Sequence, residues 1–241
     1  MTLDQKDVTT LGAVVPDWCA PPAPTGAPLT GRYAALEALD ADAHAAALFK
    51  AFDRHDALWD YMPYGPFATA QAYHRWVDQT VRKGDPLFYA IRDLHSGLLG
   101  GVASYLRIDR ANGTIEVGHI NFGPQLQRTR AATEAIFLMM EWAFSAGYRR
   151  FEWKCNALNL PSRRAAQRFG FSYEGVFRQA VISKGRNRDT AWFAMIDAEW
   201  PALRTAFERW LAPQNFDADG RQKQALGTFT TPVRVADDPA L

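Results

Sequence analysis

Three stretches of the chain, TIEVGHINF (residues 114–122), AIFLMMEWAF (135–144) and RRFEWKCNA (149–157), decide how it folds. The first and third are strand-like, and in the third, aromatic residues and a cysteine alternate with polar residues. The middle stretch has apolar residues at helical spacing, which predicts a helix over about 130–146, and Gly147 is a typical helix stop. A strand, a helix and a second strand in this order predict a parallel strand pair joined by a right-handed crossover.

The segments on either side of this unit extend the sheet. Upstream, the spacing predicts two helices, over 40–55 and about 69–83, and then the strands LFYAIRD (87–93) and LLGGVASYLRI (98–108), joined by hairpin turns. Downstream it predicts a short helix at PSRRAAQRF, a hairpin around KGRNR and a last amphipathic helix. We expect a mixed-sheet α/β (α+β) fold: an antiparallel meander, a parallel β-α-β crossover and a C-terminal hairpin.

The ends of the chain differ from its centre. Residues 16–28 are rich in proline and exclude a helix, so residues 1–28 are predicted to form an extended lead-in. The folded domain is expected to span residues 29–212. Residues 213–241 are polar and without periodicity, which predicts a loosely attached tail.

Composition limits the classes of function. The 241 residues are 48% hydrophobic with a formal net charge of +1, which supports a sizeable core and disfavours a nucleic-acid or membrane-surface role. No long apolar segment or secretory signal stands out, so we expect a cytoplasmic protein. Two cysteines, Cys19 and Cys155, make neither a disulfide framework nor a metal quartet, and the five histidines lack ligand spacing, so no metal is predicted.

The helix that follows the strand 114–122 opens with QRTRAATEA (127–135). The first turn of a helix exposes backbone amides without partners, and the helix dipole adds positive charge, so this end attracts anions. Small residues here allow a ligand to approach the backbone, and Arg128 and Arg130 can bind phosphate oxygens. The alternative is a solvated helix start with closely packed alanines.

The same stretch resembles the acyl-CoA pyrophosphate loop of the GNAT N-acetyltransferase superfamily, [Q/R]-x-x-G-x-[G/A], with Gln127 first and Ala132 last. NLPSRRAAQRFGFSYEG (159–175) resembles the next block of that superfamily, and EVGHI (116–120) resembles a strand of its ribosomal-protein (RimJ/RimL-like) branch. Three motifs in the family's order make the resemblance specific, and it extends over roughly residues 29–211.

The resemblance implies acetyl-CoA as co-substrate and no metal. It places the diphosphate on the loop from Gln127 to Thr133, the pantetheine on the strand backbone at Ile120 to Phe122, and adds Asn159, Ser162 and Arg163. The predicted cofactor-binding residues are therefore Ile120, Asn121, Phe122, Gln127, Arg128, Thr129, Arg130, Ala131, Ala132, Thr133, Asn159, Ser162 and Arg163.

One residue departs from the family pattern, because Arg130 stands where the loop usually has glycine. A positive φ at that position would strain an arginine. Because RTRAATEA is compatible with a helix throughout, we expect Arg130 to be helical already and available to a phosphate.

Acetyl transfer to an amine needs a neutral amine and a proton for the departing thiolate. The resemblance assigns Glu116 as general base, acting through water, and the alternative is a structural ion pair. The family's usual tyrosine acid is replaced by Ala166, so Ser162 is the candidate donor to the thiolate; its alternative is a helix N-cap. Asn159 could instead be a turn residue.

The acceptor site is expected beside the loop LWDYMPYGPF (58–67), which holds too many large residues for a solvated loop. Trp59 and Phe67 are expected to pack on the first helices. The predicted substrate-binding residues are Tyr61, Met62, Tyr64, His119 and Arg186, the last in the C-terminal hairpin.

These observations predict an N-acetyltransferase that moves an acetyl group from acetyl-CoA directly to a primary amine, either a protein N-terminus or a small molecule. The alternative is a non-catalytic acyl-CoA-binding or regulatory module with the same fold. A nucleotide-phosphate enzyme is disfavoured because the chain has no G-x-x-x-x-G-K-[ST] motif. No nucleic-acid or membrane partner is expected. The oligomeric state stays open, and a homodimer is compatible with the sequence.

Overall fold

The computed structural model describes residues 12–241, so the first part of the predicted lead-in, residues 1–11, lies outside the described residues. The strands are β1 Leu29–Thr30, β2 Ala34–Ala38, β3 Leu87–Asp93, β4 Leu99–Asp109, β5 Thr114–Phe122, β6 Arg150–Asn156, β7 Ser172–Ser183 and β8 Arg186–Ile196. The helices are α1 Ala41–Phe52, α2 Ala70–Val81, α3 Arg130–Ser145, α4 Leu160–Arg168, α5 Trp200–Leu211 and α6 Leu226–Thr230, with short 3-10 turns at Asp56–Trp59, Pro213–Asn215 and Thr231–Val233.

All eight strands form one sheet in the order β1-β2-β3-β4-β5-β6-β8-β7. Neighbouring strands are antiparallel except for β5 and β6, which are parallel and are joined through α3. This confirms the predicted mixed sheet, with a meander first, then one crossover, then a hairpin. The hairpin is tighter than KGRNR suggested, because β8 already begins at Arg186.

Capping residues fix where the helices begin. Asp40, Thr69, Thr129 and Asn159 each accept a hydrogen bond from an amide three residues ahead, at the starts of α1, α2, α3 and α4. Each such cap satisfies an amide that the helix itself leaves unpaired. The start of α3 is therefore set by Thr129, at the centre of the predicted anion loop.

The two faces of the sheet carry different cores. One face packs against α3 and α5 through a large cluster that includes Ile115, Val117 and Phe151. The other face packs against α1 and α2 around Trp59 and Tyr73. Since residues alternate between faces along a strand, Glu116 lies opposite Ile115 and Val117, on the α1/α2 side.

A buried carboxylate joins α3 to the far edge of the sheet. Glu134 accepts hydrogen bonds from the backbone amides of Arg32, Tyr33 and Ala34, at 3.0 Å for Arg32 and 2.7 Å for Ala34. A Cβ atom at Gly31 would lie 2.4 Å from this carboxylate, so the close approach requires glycine. The turn between β1 and β2 is thus tied to the helix that carries the anion loop.

The prediction of a loosely attached C-terminal tail was wrong. Asp238 is buried, and its carboxylate pairs with the guanidinium of Arg163, with a distance of 2.7 Å from Nε to Oδ2. Leu226 and Thr230 are also fully buried. Individual buried side chains, rather than a periodic apolar face, hold the segment in place. For this reason, its polar composition led to the wrong prediction of a loosely attached tail.

Candidate active site

Strand β5 separates from β6 halfway along its length. Thr114 to Val117 pair with Arg150 to Trp153, whereas residues 118–122 have no partner in β6. A bulge accompanies the change, because between the pairs Gly118–Ser104 and Asn121–Val102 β5 holds one residue more than β4, and His119 there has a φ of 50°. The second half of β5 therefore presents an open backbone edge towards β6, at Ile120, Asn121 and Phe122.

The loop at the start of α3 follows this open edge. The Thr129 side chain accepts from the Ala132 amide at 3.0 Å, and the Thr129 amide donates to the carbonyl of Leu126. Among the described residues, the amides of Arg128, Arg130 and Ala131 have no acceptor. We call these three amides the cradle; free amides at a helix start, together with the helix dipole, favour an anion.

The arginine that replaces glycine in the loop is not strained. Arg130 is the first residue of α3, as expected, and the residue with positive φ is Arg128, at 62°. The Arg130 guanidinium lies over the rings of Tyr33 and Phe216, at 4.8 and 5.0 Å. Its charge thus lies beside the helix start while its plane packs on aromatic rings.

The other predicted loop residues have distinct places. Gln127 is exposed and donates from Nε2 to the carbonyl of Phe122 at 2.8 Å. Thr133 is buried, and its hydroxyl lies 3.3 Å from Nη1 of Arg168. Burial lowers the pKa of Arg168 from its ordinary value. Arg168 is an additional cation near the cradle that the sequence did not single out.

On the α1/α2 face, Glu116 lies at the point where β5 opens. It is 2% exposed, and its carboxylate accepts from Nη1 of Arg107 at 2.8 Å and from Nζ of Lys154 at 3.0 Å. Lys154 continues to Glu152 at 2.7 Å, and Arg150 then joins Glu152 to Glu174. We call this chain of six alternating charges the ion-pair network. Glu116 makes the ion pairs that the sequence left open as its alternative role.

A second bulge brings Arg107 to Glu116. Between the pairs Leu106–Glu116 and Asp109–Thr114, β4 holds one residue more than β5, and Arg107 has a φ of 46°. Strict alternation would place Arg107 on the face opposite Leu106, so the bulge redirects its side chain. Nothing in the local sequence announces such a bulge, which is why Arg107 escaped prediction.

His119 and Tyr64 form a stacked pair above the open half of β5. The Tyr64 hydroxyl lies 3.1 Å from His119 Nδ1, and the rings are nearly parallel with centroids 5.5 Å apart. Burial, together with the nearby charges of Arg107 and Arg188, lowers the pKa of His119 to about 4. The imidazole is therefore neutral at neutral pH.

The first turn of α4 lies beside the open edge. The N-cap is Asn159, whose side chain accepts from the Ser162 amide at 3.1 Å, so Ser162 is not the cap. The Ser162 hydroxyl accepts from Trp153 Nε1 at 3.0 Å and also lies next to the Cys155 thiol, whose pKa burial raises to about 11. A hydroxyl that accepts one bond keeps its own proton to donate.

Arg163 does not face the cleft. Its guanidinium is bound by Asp238 and by the carbonyl of Ala157, and the residue is 6% exposed. These contacts do not support the predicted role of Arg163 in cofactor binding.

The aromatic loop 58–67 forms one side of the cleft. Trp59 and Phe67 pack on α1 and α2, as expected. The Tyr61 hydroxyl donates to the carbonyl of Leu158 at 3.2 Å, and Lys184 at the hairpin tip donates to the carbonyl of Trp59 at 2.8 Å. Met62 is half-buried against α1 and α2, and Arg186 is exposed at the beginning of β8. The loop therefore contacts both the hairpin tip and the segment just before α4, and we call the space between these elements and the open half of β5 the cleft.

The open edge of β5 thus leads into a helix start with free amides. The chain that forms this site matches a known family. The profile of the acetyltransferase (GNAT) domain matches residues 35–172, more than half of the chain. The chain belongs to the GNAT family of acetyltransferases. Its alternative as a nucleotide-phosphate enzyme is thereby set aside.

Individual relatives agree with the family assignment. A GCN5-related N-acetyltransferase from Brucella melitensis is 46% identical, with a TM-score of 0.88 over 90% of this chain and 100% of that one. The uncharacterized N-acetyltransferase YnaD of Bacillus subtilis (strain 168) is 26% identical over 58% of this chain and 81% of its own length. RimL, the ribosomal L7/L12 alpha-N-protein acetyltransferase, solved with coenzyme A, shares the fold with a TM-score of 0.60 at 23% identity over 70% of this chain and 97% of its own.

Two features are absent from the residues that the structure describes. Within residues 12–241, no helix has the length and apolar character to cross a membrane. The same residues contain no group of three His, Cys, Asp or Glu side chains arranged to hold a metal ion.

Proposed function

We propose that this GNAT-family enzyme transfers the acetyl group of acetyl-CoA directly to a primary amine, either a protein N-terminus or a small molecule. The observation that carries the proposal is that one strand supplies both halves of the site. β5 ends in an open edge beside the cradle. At the point where β5 separates from β6, the strand also carries the buried carboxylate of Glu116, on the α1/α2 face of the sheet.

The cradle suits the diphosphate of CoA. The amides of Arg128, Arg130 and Ala131 lack acceptors within residues 12–241, and two of these residues carry a positive charge. The open backbone of Ile120 to Phe122 suits the pantetheine amides, which would extend the sheet as an added strand. Asn159 and Ser162, at the first turn of α4, would contact the pantetheine end.

The thioester supplies an activated acyl group, and the residues of this chain supply position and proton transfer. The amine nitrogen forms the new bond to the acetyl carbon as the bond from carbon to sulfur breaks. Ser162 would donate a hydrogen bond to the departing sulfur, because its hydroxyl accepts from Trp153 Nε1 and keeps its own hydrogen to donate. Tyr64 and His119, as an uncharged pair, would contact the amine side of the acceptor.

Glu116 would receive the acceptor's proton through water. An ionised carboxylate has about four acceptor positions, and the hydrogen bonds and ion pairs with Arg107 and Lys154 use three of them, which leaves one for a water molecule. The same ion pairs also favour the second candidate, a non-catalytic acyl-CoA-binding module in which Glu116 is purely structural.

Turnover separates the two candidates. The purified chain is mixed with acetyl-CoA and a broad panel of primary amines, and release of the free CoA thiol is measured with and without each amine. An enzyme releases thiol in an amine-dependent way, with acetylated amine found by mass spectrometry in equal amount. CoA binding without turnover on any amine would favour the module.

A further inference from the structure

Alternate residues of β8 lie on the face of the sheet that carries Glu116. Arg188, Thr190 and Trp192 share one face of the strand. Trp192 pairs with Lys154 across the sheet, and Lys154 lies 3.7 Å above its ring, so this face is continuous with Glu116. The three residues therefore line the site from the ion-pair network towards the hairpin tip.

Each of these three residues has a buried polar atom without a partner. Within the described part of the chain, Arg188 Nε, Thr190 Oγ1 and Trp192 Nε1 make no hydrogen bond, and Thr190 is only 5% exposed. Native proteins rarely leave such atoms unsatisfied, and three neighbours on one face indicate that something else satisfies them. All three can donate a hydrogen bond, which suits an acceptor-rich, anionic group.

The charges around the cleft support the same conclusion. In the ion-pair network, the cations Arg107, Lys154 and Arg150 balance the anions Glu116, Glu152 and Glu174. Arg188 lies close enough to Glu116 and Arg107 to interact with their charges, yet no carboxylate among residues 12–241 lies within ion-pair distance of it. Its half-buried positive charge is therefore not compensated by the protein itself.

We propose that Arg188 and Thr190 bind an anionic group of the acceptor, so that the substrate is a small primary amine that also carries a carboxylate or a phosphate. This inference rests on the proposed function and narrows it. The cleft is bridged by the contacts from Lys184 to Trp59 and from Tyr61 to Leu158, which favours a small molecule over a long peptide. A guanidinium and a hydroxyl are common partners of both anions.

The test uses primary amines of equal length that end in a carboxylate, a phosphate, a carboxamide or an ammonium group, together with a peptide that begins with an acidic residue. We expect kcat/KM for the better anionic amine to exceed that of the carboxamide by at least about tenfold. Whether the carboxylate or the phosphate compound is faster identifies the source of the charge. A faster peptide would contradict the small-molecule part of the proposal.

Substitutions of Arg188 test whether this residue causes the preference for the anionic amine. Arg188→Gln should lower kcat/KM for the anionic amine far more than for the carboxamide, so that the preference is lost, and should cause no loss of thermal stability, because the Nε atom has no partner to lose. Arg188→Lys should retain part of the preference. The control is Arg178→Gln, an exposed arginine on the neighbouring strand, which should behave like the parent.

The outcomes separate the two proposals. If neutral or cationic amines are preferred and Arg188→Gln does not alter the ranking, the enzyme stands but the anionic-acceptor inference is overturned. If no amine of any charge is acetylated although CoA binds, the proposed function itself fails.

Discussion

The two halves of β5 differ in what surrounds them. Thr114 to Val117 have a strand on each side, and Ile115 and Val117 are at most 1% exposed. Gly118 to Phe122 have a partner only on the β4 side. The first half of the strand is therefore part of the core, whereas the second half offers its backbone to another molecule. The proposed site therefore begins at Gly118, where the hydrogen bonds between β5 and β6 have ended.

The electrostatics of the two halves differ as well. Glu116, in the paired half, is fixed by full charges from Arg107 and Lys154. His119, in the open half, is neutral, and the cradle that follows consists of backbone amides. Within β5, therefore, the paired half carries a carboxylate held by fixed charges, and the open half carries uncharged groups. Substitutions in the two halves, and in the elements beside them, should therefore have different effects.

The largest effect is expected at Glu116. Glu116→Gln should lower kcat about 100-fold, because the acceptor's proton loses its destination, while CoA affinity stays nearly the same. Steady-state kinetics and calorimetry measure the two quantities. Glu174→Gln, at the exposed far end of the ion-pair network, is the control and should keep the parent kcat. If Glu116→Gln only lowers thermal stability and leaves kcat intact, Glu116 is structural.

A charge reversal in the cradle should act on the other half. Arg128→Asp should weaken CoA binding about 30-fold, since a charge-assisted contact is lost and a repulsion replaces it. Aspartate tolerates a positive φ, so the fold should persist. The matched control is Arg54→Asp, because Arg54 also has a φ of 62° but lies at the end of α1. Equal CoA affinity in both variants would contradict the cradle.

The buried imidazole should make stability depend on pH. The pKa of His119 falls from 6.5 to about 4 on folding. Between these values the unfolded chain takes up a proton that the folded protein does not bind, so stability falls as pH decreases from 6.5 to 4, by roughly 3 kcal/mol. Urea unfolding at several pH values should show this slope in the parent and a shallower one in His119→Asn, which tolerates the positive φ. Replacing the exposed His95 in the same way should leave the slope unchanged.

Two neighbouring residues of α4 should separate chemistry from folding. Ser162→Ala should lower kcat roughly tenfold, because the thiolate loses a donor, and should cost about 1 kcal/mol of unfolding free energy, because Trp153 Nε1 loses its acceptor. Asn159→Ala should cost about 1 kcal/mol of unfolding free energy, because it removes the N-cap. Kinetics and thermal unfolding of both variants provide the comparison. A Ser162→Ala variant with parent kcat would remove this residue from the mechanism.

Much of the fold could be predicted because its signals are local. The apolar periodicity of α3 and the alternation along β6 depend on residues close in sequence, and their bounds agree with the structure within about two residues. The C-terminal segment could not be predicted, because it is held by long-range pairs such as Arg163 with Asp238, which are 75 residues apart.

The site was predicted unevenly for the same reason. The open strand, the cradle and Glu116 follow from motifs within one crossover unit. The partners of Glu116 depend on a bulge at Arg107 and on the parallel register that brings Lys154 alongside, and neither has a sequence signature. Likewise, the positive φ at Arg128 follows from the turn that Thr129 closes, and an arginine gives no hint of it.

The central claim is that the cradle binds the diphosphate of CoA beside the open half of β5. Isothermal titration calorimetry with CoA and with pantetheine, which lacks the diphosphate, tests it most directly. We predict that CoA binds at least about 100-fold more tightly than pantetheine and that Arg128→Asp removes most of this difference. Equal affinities for the two ligands, or no binding of CoA, would contradict the account.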